Sequence, residues 1–128
     1  MRIHHVALTV RNLGASIAWY TDIFDARVID TYEKHGLEIA QLKIGNAWIE
    51  LFAGGESELP DYRKTLIGDI STVGTKHLAL ETDDLDALVK KLREKRVAFE
   101  TEMDTAHFGG RYVFIKDPDG ILIELYQK

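Results

Sequence analysis

The sequence predicts an α+β fold built from two tandem β-α-β-β-β modules with curved mixed sheets. The first observation is a repeat: IHHVALTVRNL from Ile3 matches KHLALETDDL from Lys76, with His5 aligned to His77. The second is a later match, WIELF at 48–52 against LIELY at 122–126. The third is that the two matches are almost equally spaced in both halves, which two copies of one supersecondary unit explain better than chance.

The first module follows the order strand, helix and three strands. Alternating apolar residues predict a strand over 3–10, and Asn12 is positioned to cap a helix over about 13–24. Strands are predicted near 26–33 and 37–44, and then over 47–53 after a tight turn at Gly45-Asn46.

The second module repeats this order. A strand is predicted over 76–82, and Asp83 or Asp84 caps a helix that begins near Leu85. Strands near 97–102 and 111–116 then lead to a strong turn signal, DPDG at 117–120, and the final strand.

A chain of 128 residues is expected to form one compact domain, 1–128. We place the first module at about 1–53, a linker at 54–74 and the second module at about 75–128. The linker is long for a structureless connection, so we interpret it as a linker plus a loop that covers a site. A mobile surface linker is the alternative that the sequence leaves open.

Composition excludes several classes of function. The net charge of −5 includes no basic stripe, which argues against a nucleic-acid partner. The absence of cysteine excludes disulfides, thiolate metal ligands and cysteine nucleophiles. No segment is apolar enough for a membrane span, and the N-terminal residues lack the pattern of a signal peptide. A cytoplasmic location is therefore expected.

Four residues at equivalent positions of the modules are candidate metal ligands. Period-two alternation places His5 and His77 on the sheet faces opposite the apolar residues, and Glu50 and Glu124 likewise. If the modules pair about a pseudo-twofold axis, these side chains converge and can bind a divalent cation through two nitrogens and two oxygens. His4 is expected to face the helix and is not assigned to the metal.

Neighbouring residues are predicted from the same alternation. If Gly45-Asn46 forms a two-residue turn, Gln41 lies opposite Glu50 and can hydrogen-bond to it. Tyr112 and Phe114 either face the cavity or belong to the core.

The motifs HHVAL, WIELF, KHLAL and DPDGILIELY resemble the vicinal oxygen chelate superfamily across essentially the whole chain. That superfamily includes glyoxalase I, methylmalonyl-CoA epimerase, extradiol dioxygenases, and the fosfomycin- and bleomycin-resistance proteins. The set His5, Glu50, His77 and Glu124 is similar to the glyoxalase I metal ligands. The resemblance implies a metal-containing cleft, one divalent ion per site (Ni²⁺, Zn²⁺, Co²⁺, Mn²⁺ or Fe²⁺), a small-molecule substrate and a homodimer.

The same resemblance implies a lyase or isomerase that transfers a proton α to a carbonyl through a metal-stabilised enediolate. Glu124 and Glu50 are the two candidate bases, and symmetry does not rank them. Thr9 and Gly54 stand where bacterial glyoxalase I carries the Arg and Asn used for glutathione. The alternatives are a drug-binding or resistance protein, an epimerase, or a ring-cleaving dioxygenase of the same superfamily.

Overall fold

The structure, a computed structural model, describes residues 1–54 and 58–128. These residues form two compact units, Met1–Glu58 and Leu59–Lys128. The first unit has one four-stranded sheet with the order β1-β4-β3-β2, in which β1 and β4 are parallel and the other pairs antiparallel. Its elements are β1 (Val6–Thr9), α1 (Leu13–Phe24), β2 (Arg27–Lys34), β3 (Leu37–Ile44) and β4 (Ala47–Ala53).

The second unit repeats this plan after two short helices. Its sheet has the order β5-β8-β7-β6, again with the first pair parallel. Its elements are a 3-10 helix (Asp61–Lys64), α2 (Leu66–Ile70), β5 (Leu78–Glu81), α3 (Leu85–Glu94), β6 (Asp104–Thr105), β7 (Arg111–Lys116) and β8 (Leu122–Gln127). The predicted α+β class with two β-α-β-β-β modules is confirmed.

Each main helix begins at a side-chain cap. The Asn12 side chain accepts a hydrogen bond from the backbone N–H of Ala15 at 2.8 Å, and the Asp84 side chain accepts one from Ala87 at 2.9 Å. Both caps satisfy an amide that the first helical turn leaves without a partner. Of the two predicted caps for α3, Asp84 is therefore the one used.

The apolar faces of the central strands supply the core of each unit. Ile49 and Leu51 on β4, and Ile123 and Leu125 on β8, are at most 1% exposed. The residues between them, Glu50 and Glu124, lie on the opposite face because strand side chains alternate. The alternation predicted from the sequence therefore places both glutamates away from the core.

The predicted strand at 97–102 is wrong. Ala98 and Glu100 do pair with β7 through backbone hydrogen bonds, and Phe99 forms a single bridge to Ile115. The Thr101 hydroxyl then accepts the N–H of Phe114 at 3.0 Å, so a side chain occupies a position that the backbone ladder would use. Regular pairing resumes only at β6.

The predicted linker, 54–74, is only partly described, since residues 55–57 lie outside the described residues. The remainder contains the 3-10 helix and α2, and polar contacts join it to the rest of the second unit. The Lys116 ammonium contacts the Lys64 carbonyl at 3.2 Å, and the Glu100 carboxylate accepts the N–H of Leu66 at 3.3 Å.

None of the helices in residues 1–54 and 58–128 is long and apolar enough to cross a membrane.

The predicted DPDG turn is confirmed, and Asp117 organises it. Asp117 is 5% exposed, and its Oδ1 accepts the backbone N–H groups of Asp119 at 2.9 Å and Ile121 at 2.8 Å. Gly120 has φ 83°, and a β-carbon there would approach the Leu59 side chain to 2.6 Å. The turn therefore depends on both residues.

Replacing Asp117 with alanine is expected to destabilise the protein by about 2–4 kcal/mol, since two part-buried amides lose their acceptor. Asparagine keeps an acceptor oxygen, so Asp117→Asn should cost clearly less. Urea unfolding of the two variants measures both losses. Equal losses would show that an acceptor oxygen without the negative charge does not hold the turn.

Candidate metal centre

The first unit brings His5 and Glu50 together. Ala7 pairs with Glu50 across the parallel β1–β4 ladder, and His5 lies just before β1. The His5 Nε2 and Glu50 Oε2 atoms are 3.7 Å apart. The His5 side chain is 42% exposed and that of Glu50 is 12% exposed, so the pair is accessible on the imidazole side.

Two further side chains hold the Glu50 carboxylate. Gln41 lies opposite Glu50 in the β3–β4 register, as predicted, and its Nε2 donates to Glu50 Oε1 at 3.2 Å. The Tyr32 hydroxyl donates to the same oxygen at 2.9 Å. Both hydrogen bonds are accepted by Oε1, and Oε2 faces His5.

The same contacts shift the pKa values of Glu50 and Tyr32. The Gln41 amide, followed by the Tyr32 hydroxyl and the nearby His5, lowers the pKa of Glu50 below its ordinary value, although burial opposes this. The hydrogen bond to Glu50 in turn raises the pKa of the Tyr32 phenol. Glu50 is therefore held as a carboxylate.

Sequence reasoning missed Tyr32, which lies two strands away from Glu50. Tyr32 pairs with Ile39 in the β2–β3 register and so shares a face with Gln41. A search of that face across all three strands could have found it, because a tyrosine is long enough to reach a diagonal neighbour.

The second unit brings His77 and Glu124 together in the matching place. Ala79 pairs with Glu124 across the parallel β5–β8 ladder, and His77 lies just before β5. The His77 Nε2 and Glu124 Oε2 atoms are 2.9 Å apart. Each unit thus presents an imidazole nitrogen beside a carboxylate oxygen at the same position of its sheet.

The surroundings of Glu124 differ from those of Glu50. Phe114 lies opposite Glu124 in the β7–β8 register, at the position that Gln41 has in the first unit. The Phe114 and His77 rings meet edge to face, with centroids 5.0 Å apart. Within the described part of the chain, His77 is the only residue that pairs with the Glu124 carboxylate. Glu124 is therefore less constrained than Glu50.

The donor set fits a divalent cation. Neutral imidazole nitrogen and carboxylate oxygen are ligands that Zn²⁺, Ni²⁺, Mn²⁺ and Fe²⁺ accept. The Nδ1 atom of His77 is buried without a hydrogen-bond partner in the described residues, so this ring is held by packing and by its Nε2 contact. In each unit, the described residues include one His–Glu pair. They include no group of three or more side chains that could together bind a metal ion. Joint binding by all four residues stays a prediction.

His4 does not lie where the sequence predicted. Its ring stacks on Trp48, with centroids 6.0 Å apart, and Trp48 is on the Glu50 face of β4. The predicted strand at 3–10 is also shorter than expected, because β1 begins at Val6 and alternation does not extend to His4. Its expected position on the helix side is therefore wrong.

Two repeats of one β-α-β-β-β unit, each with a His–Glu pair at the same place, define a class of duplicated α+β proteins with a candidate metal centre. The family model for the Glyoxalase/Bleomycin resistance protein/Dioxygenase superfamily matches residues 2–125, and the chain belongs to this superfamily.

Relatives of this chain include an uncharacterised protein, an epimerase and a lyase. An uncharacterised Bacillus subtilis protein, YwbC, is 33% identical and covers 99% of this chain and 98% of its own length. Human mitochondrial methylmalonyl-CoA epimerase is 29% identical, covering 98% of this chain and 73% of its own length. Lactoylglutathione lyase GLX1 of Arabidopsis thaliana is 31% identical over 99% of this chain, which spans 44% of that protein.

A solved structure confirms the fold. The glyoxalase/bleomycin resistance protein/dioxygenase domain from Frankia sp. EAN1pec superposes with a TM-score of 0.81 at 28% identity, covering 99% of this chain and 91% of that one.

Proposed function

We propose that the protein is a metal-dependent lyase or isomerase that transfers a proton at the carbon α to a carbonyl of a small oxygenated substrate. His5, Glu50, His77 and Glu124 are the residues that would hold one divalent ion. The observation that carries this proposal is the equivalent His–Glu pair in each unit, at 3.7 Å and 2.9 Å. A bound divalent cation would polarise the substrate carbonyl and stabilise negative charge that develops beside it.

The different surroundings of the two glutamates support different roles for them. Tyr32 and Gln41 hold the Glu50 carboxylate, so Glu50 serves as a fixed ligand. Glu124 contacts His77 and faces an aromatic ring, so its carboxylate can turn toward a substrate and accept the α proton on an oxygen. Returning that proton to the neighbouring carbon completes an isomerisation. This asymmetry supports Glu124 rather than Glu50 as the base.

Epimerisation is the second candidate, and the match to human methylmalonyl-CoA epimerase favours it. It requires the same first step, removal of a proton α to a carbonyl, and differs in that the proton returns to the same carbon from the opposite face. Fold alone does not decide function. A drug-binding protein with this fold would bind its ligand without transferring a proton.

Deuterium exchange tests the proposal without knowledge of the product. Metal-loaded protein is incubated in D₂O with α-hydroxy ketones, α-hydroxy aldehydes and acyl thioesters, and proton NMR follows loss of the α signal. We expect catalysed exchange in at least one class, and none after chelation. Glu102→Gln, an exposed glutamate outside the proposed site, is the matched control for variants of the ligands. The proposal fails if the loaded protein exchanges none of the three classes faster than the solution does.

Weak or absent turnover of the glutathione–methylglyoxal hemithioacetal is expected. Thr9, at the end of β1, carries no charge for an anionic peptide, and Gly54 has no side chain to donate a hydrogen bond. A spectrophotometric assay over a range of metals measures this. An efficiency of about 10⁴ M⁻¹s⁻¹ or more, ordinary for an enzyme on its own substrate, would show that other residues bind glutathione.

We also propose that the protein is a homodimer, because the edge strands of two open sheets invite pairing with a second copy. Light scattering at micromolar concentration tests this. A monomer of 14.5 kDa would contradict it.

A further inference from the structure

We propose that His4 is a positioning residue for His5: it accepts a hydrogen bond from His5 Nδ1–H and so keeps the His5 Nε2 lone pair free for the metal. This inference rests on the proposed function for the identity of the ligand. It assigns His4 a role that is separate from coordination itself.

The contact between the two rings is direct. The Nδ1 atoms of His4 and His5 are 2.8 Å apart, and the rings meet edge to face with centroids 5.1 Å apart. Two neutral imidazole nitrogens at this distance share one proton, so one ring donates and the other accepts. The direction of that bond fixes which His5 nitrogen can bind a metal, because only the unprotonated nitrogen is a ligand.

The proposed role of His5 as a metal ligand decides the direction. A nitrogen that binds a metal carries no proton, so the His5 proton must lie on Nδ1, where His4 accepts it at 2.8 Å. Glu50 Oε2 lies 3.7 Å from His5 Nε2, beyond hydrogen-bond distance, so no hydrogen bond to Glu50 holds a proton on Nε2.

His5 needs such a partner more than His77 does. His5 precedes the first residue of β1 and its side chain is 42% exposed, so neither sheet pairing nor packing fixes the ring. His77 is 29% exposed and contacts Phe114, and its Nδ1 has no hydrogen-bond partner among the described residues. The two candidate ligands are therefore oriented in different ways, and His77 serves as an internal control.

Trp48 completes the arrangement. Its ring stacks on His4 at an interplanar angle of 27°, and it lies two residues before Glu50 on the same face of β4. The stack limits the rotation of the exposed His4 ring. A phenylalanine at position 4 can keep this stack but cannot accept a hydrogen bond, whereas asparagine can accept one without a ring.

The test uses nitrogen NMR of the metal-free protein and titration with Zn²⁺ and Ni²⁺. The pH is mildly alkaline and is the same for every variant. We expect wild type and His4→Asn to keep His5 in the Nδ1–H form, and His4→Phe to lose that preference. The affinity for metal should fall by about 10–100-fold in His4→Phe only, the usual effect of removing a hydrogen bond to a ligating histidine. The His77 signals should not move in any variant.

Two results would overturn the inference: His4→Phe with an unchanged His5 tautomer, or His4→Asn as impaired as His4→Phe in both readouts. If wild type binds neither metal, the proposed metal centre fails, while the tautomer in metal-free protein still decides whether His4 orients His5.

Discussion

Glu124→Gln is expected to lower turnover by about a hundredfold or more, the usual contribution of a positioned general base. Glutamine has the same size and a carbonyl oxygen that can coordinate weakly, but it cannot accept a proton. The fold should be unaffected, because the carboxylate contacts only His77 in the described residues and Ile123 and Leu125 keep their core positions. The measurements are the α-proton exchange rate, the metal content and the melting temperature.

Glu50→Gln provides the contrast. Tyr32 and Gln41 already bind one oxygen of Glu50, so this substitution should weaken metal binding more than it slows proton transfer at saturating metal. Full turnover in Glu124→Gln together with a large loss in Glu50→Gln would reverse the roles assigned to the two residues.

Removal of the metal is expected to abolish turnover and lower thermal stability. A ligand that binds only the native state stabilises it by about 4 kcal/mol when present at a thousandfold excess over its dissociation constant. Elemental analysis should find about one divalent ion per chain, the value expected if the four proposed ligands share one ion. Thermal melts with chelator, and with each metal restored, measure the stabilisation.

His77→Ala should eliminate that stabilisation, since it removes a proposed ligand whose ring contacts Phe114 and Glu124. His107→Ala is the matched control, because His107 is exposed and outside the proposed ligand set. A protein that contains no metal and melts at the same temperature when metal is added would contradict the four-ligand proposal.

The register of the central strands could be predicted from the sequence because local signals fix it. The Gly45-Asn46 turn sets the pairing of β3 with β4, and that pairing places Gln41 opposite Glu50. Helix caps and the DPDG turn are equally local, since each depends on a side chain that bonds to amides two to four residues away.

The features that sequence analysis missed depend on contacts between distant segments. Tyr32 reaches Glu50 from two strands away, and Thr101 interrupts a ladder by bonding to Phe114. The expected position of His4 is wrong because alternation does not continue beyond the point where β1 leaves its partner strand. Side-chain length and strand ends decide these cases, and neither follows from residue periodicity.

The parallel pairing of β1 with β4, and of β5 with β8, has a consequence for the order in which the protein folds. The antiparallel hairpins within each unit join neighbouring segments and can form early, whereas each parallel pair joins the two ends of its repeat. Each histidine precedes the first strand of its unit and each glutamate lies on the last. The chain therefore brings each histidine next to its glutamate only when these slow, long-range closures are complete.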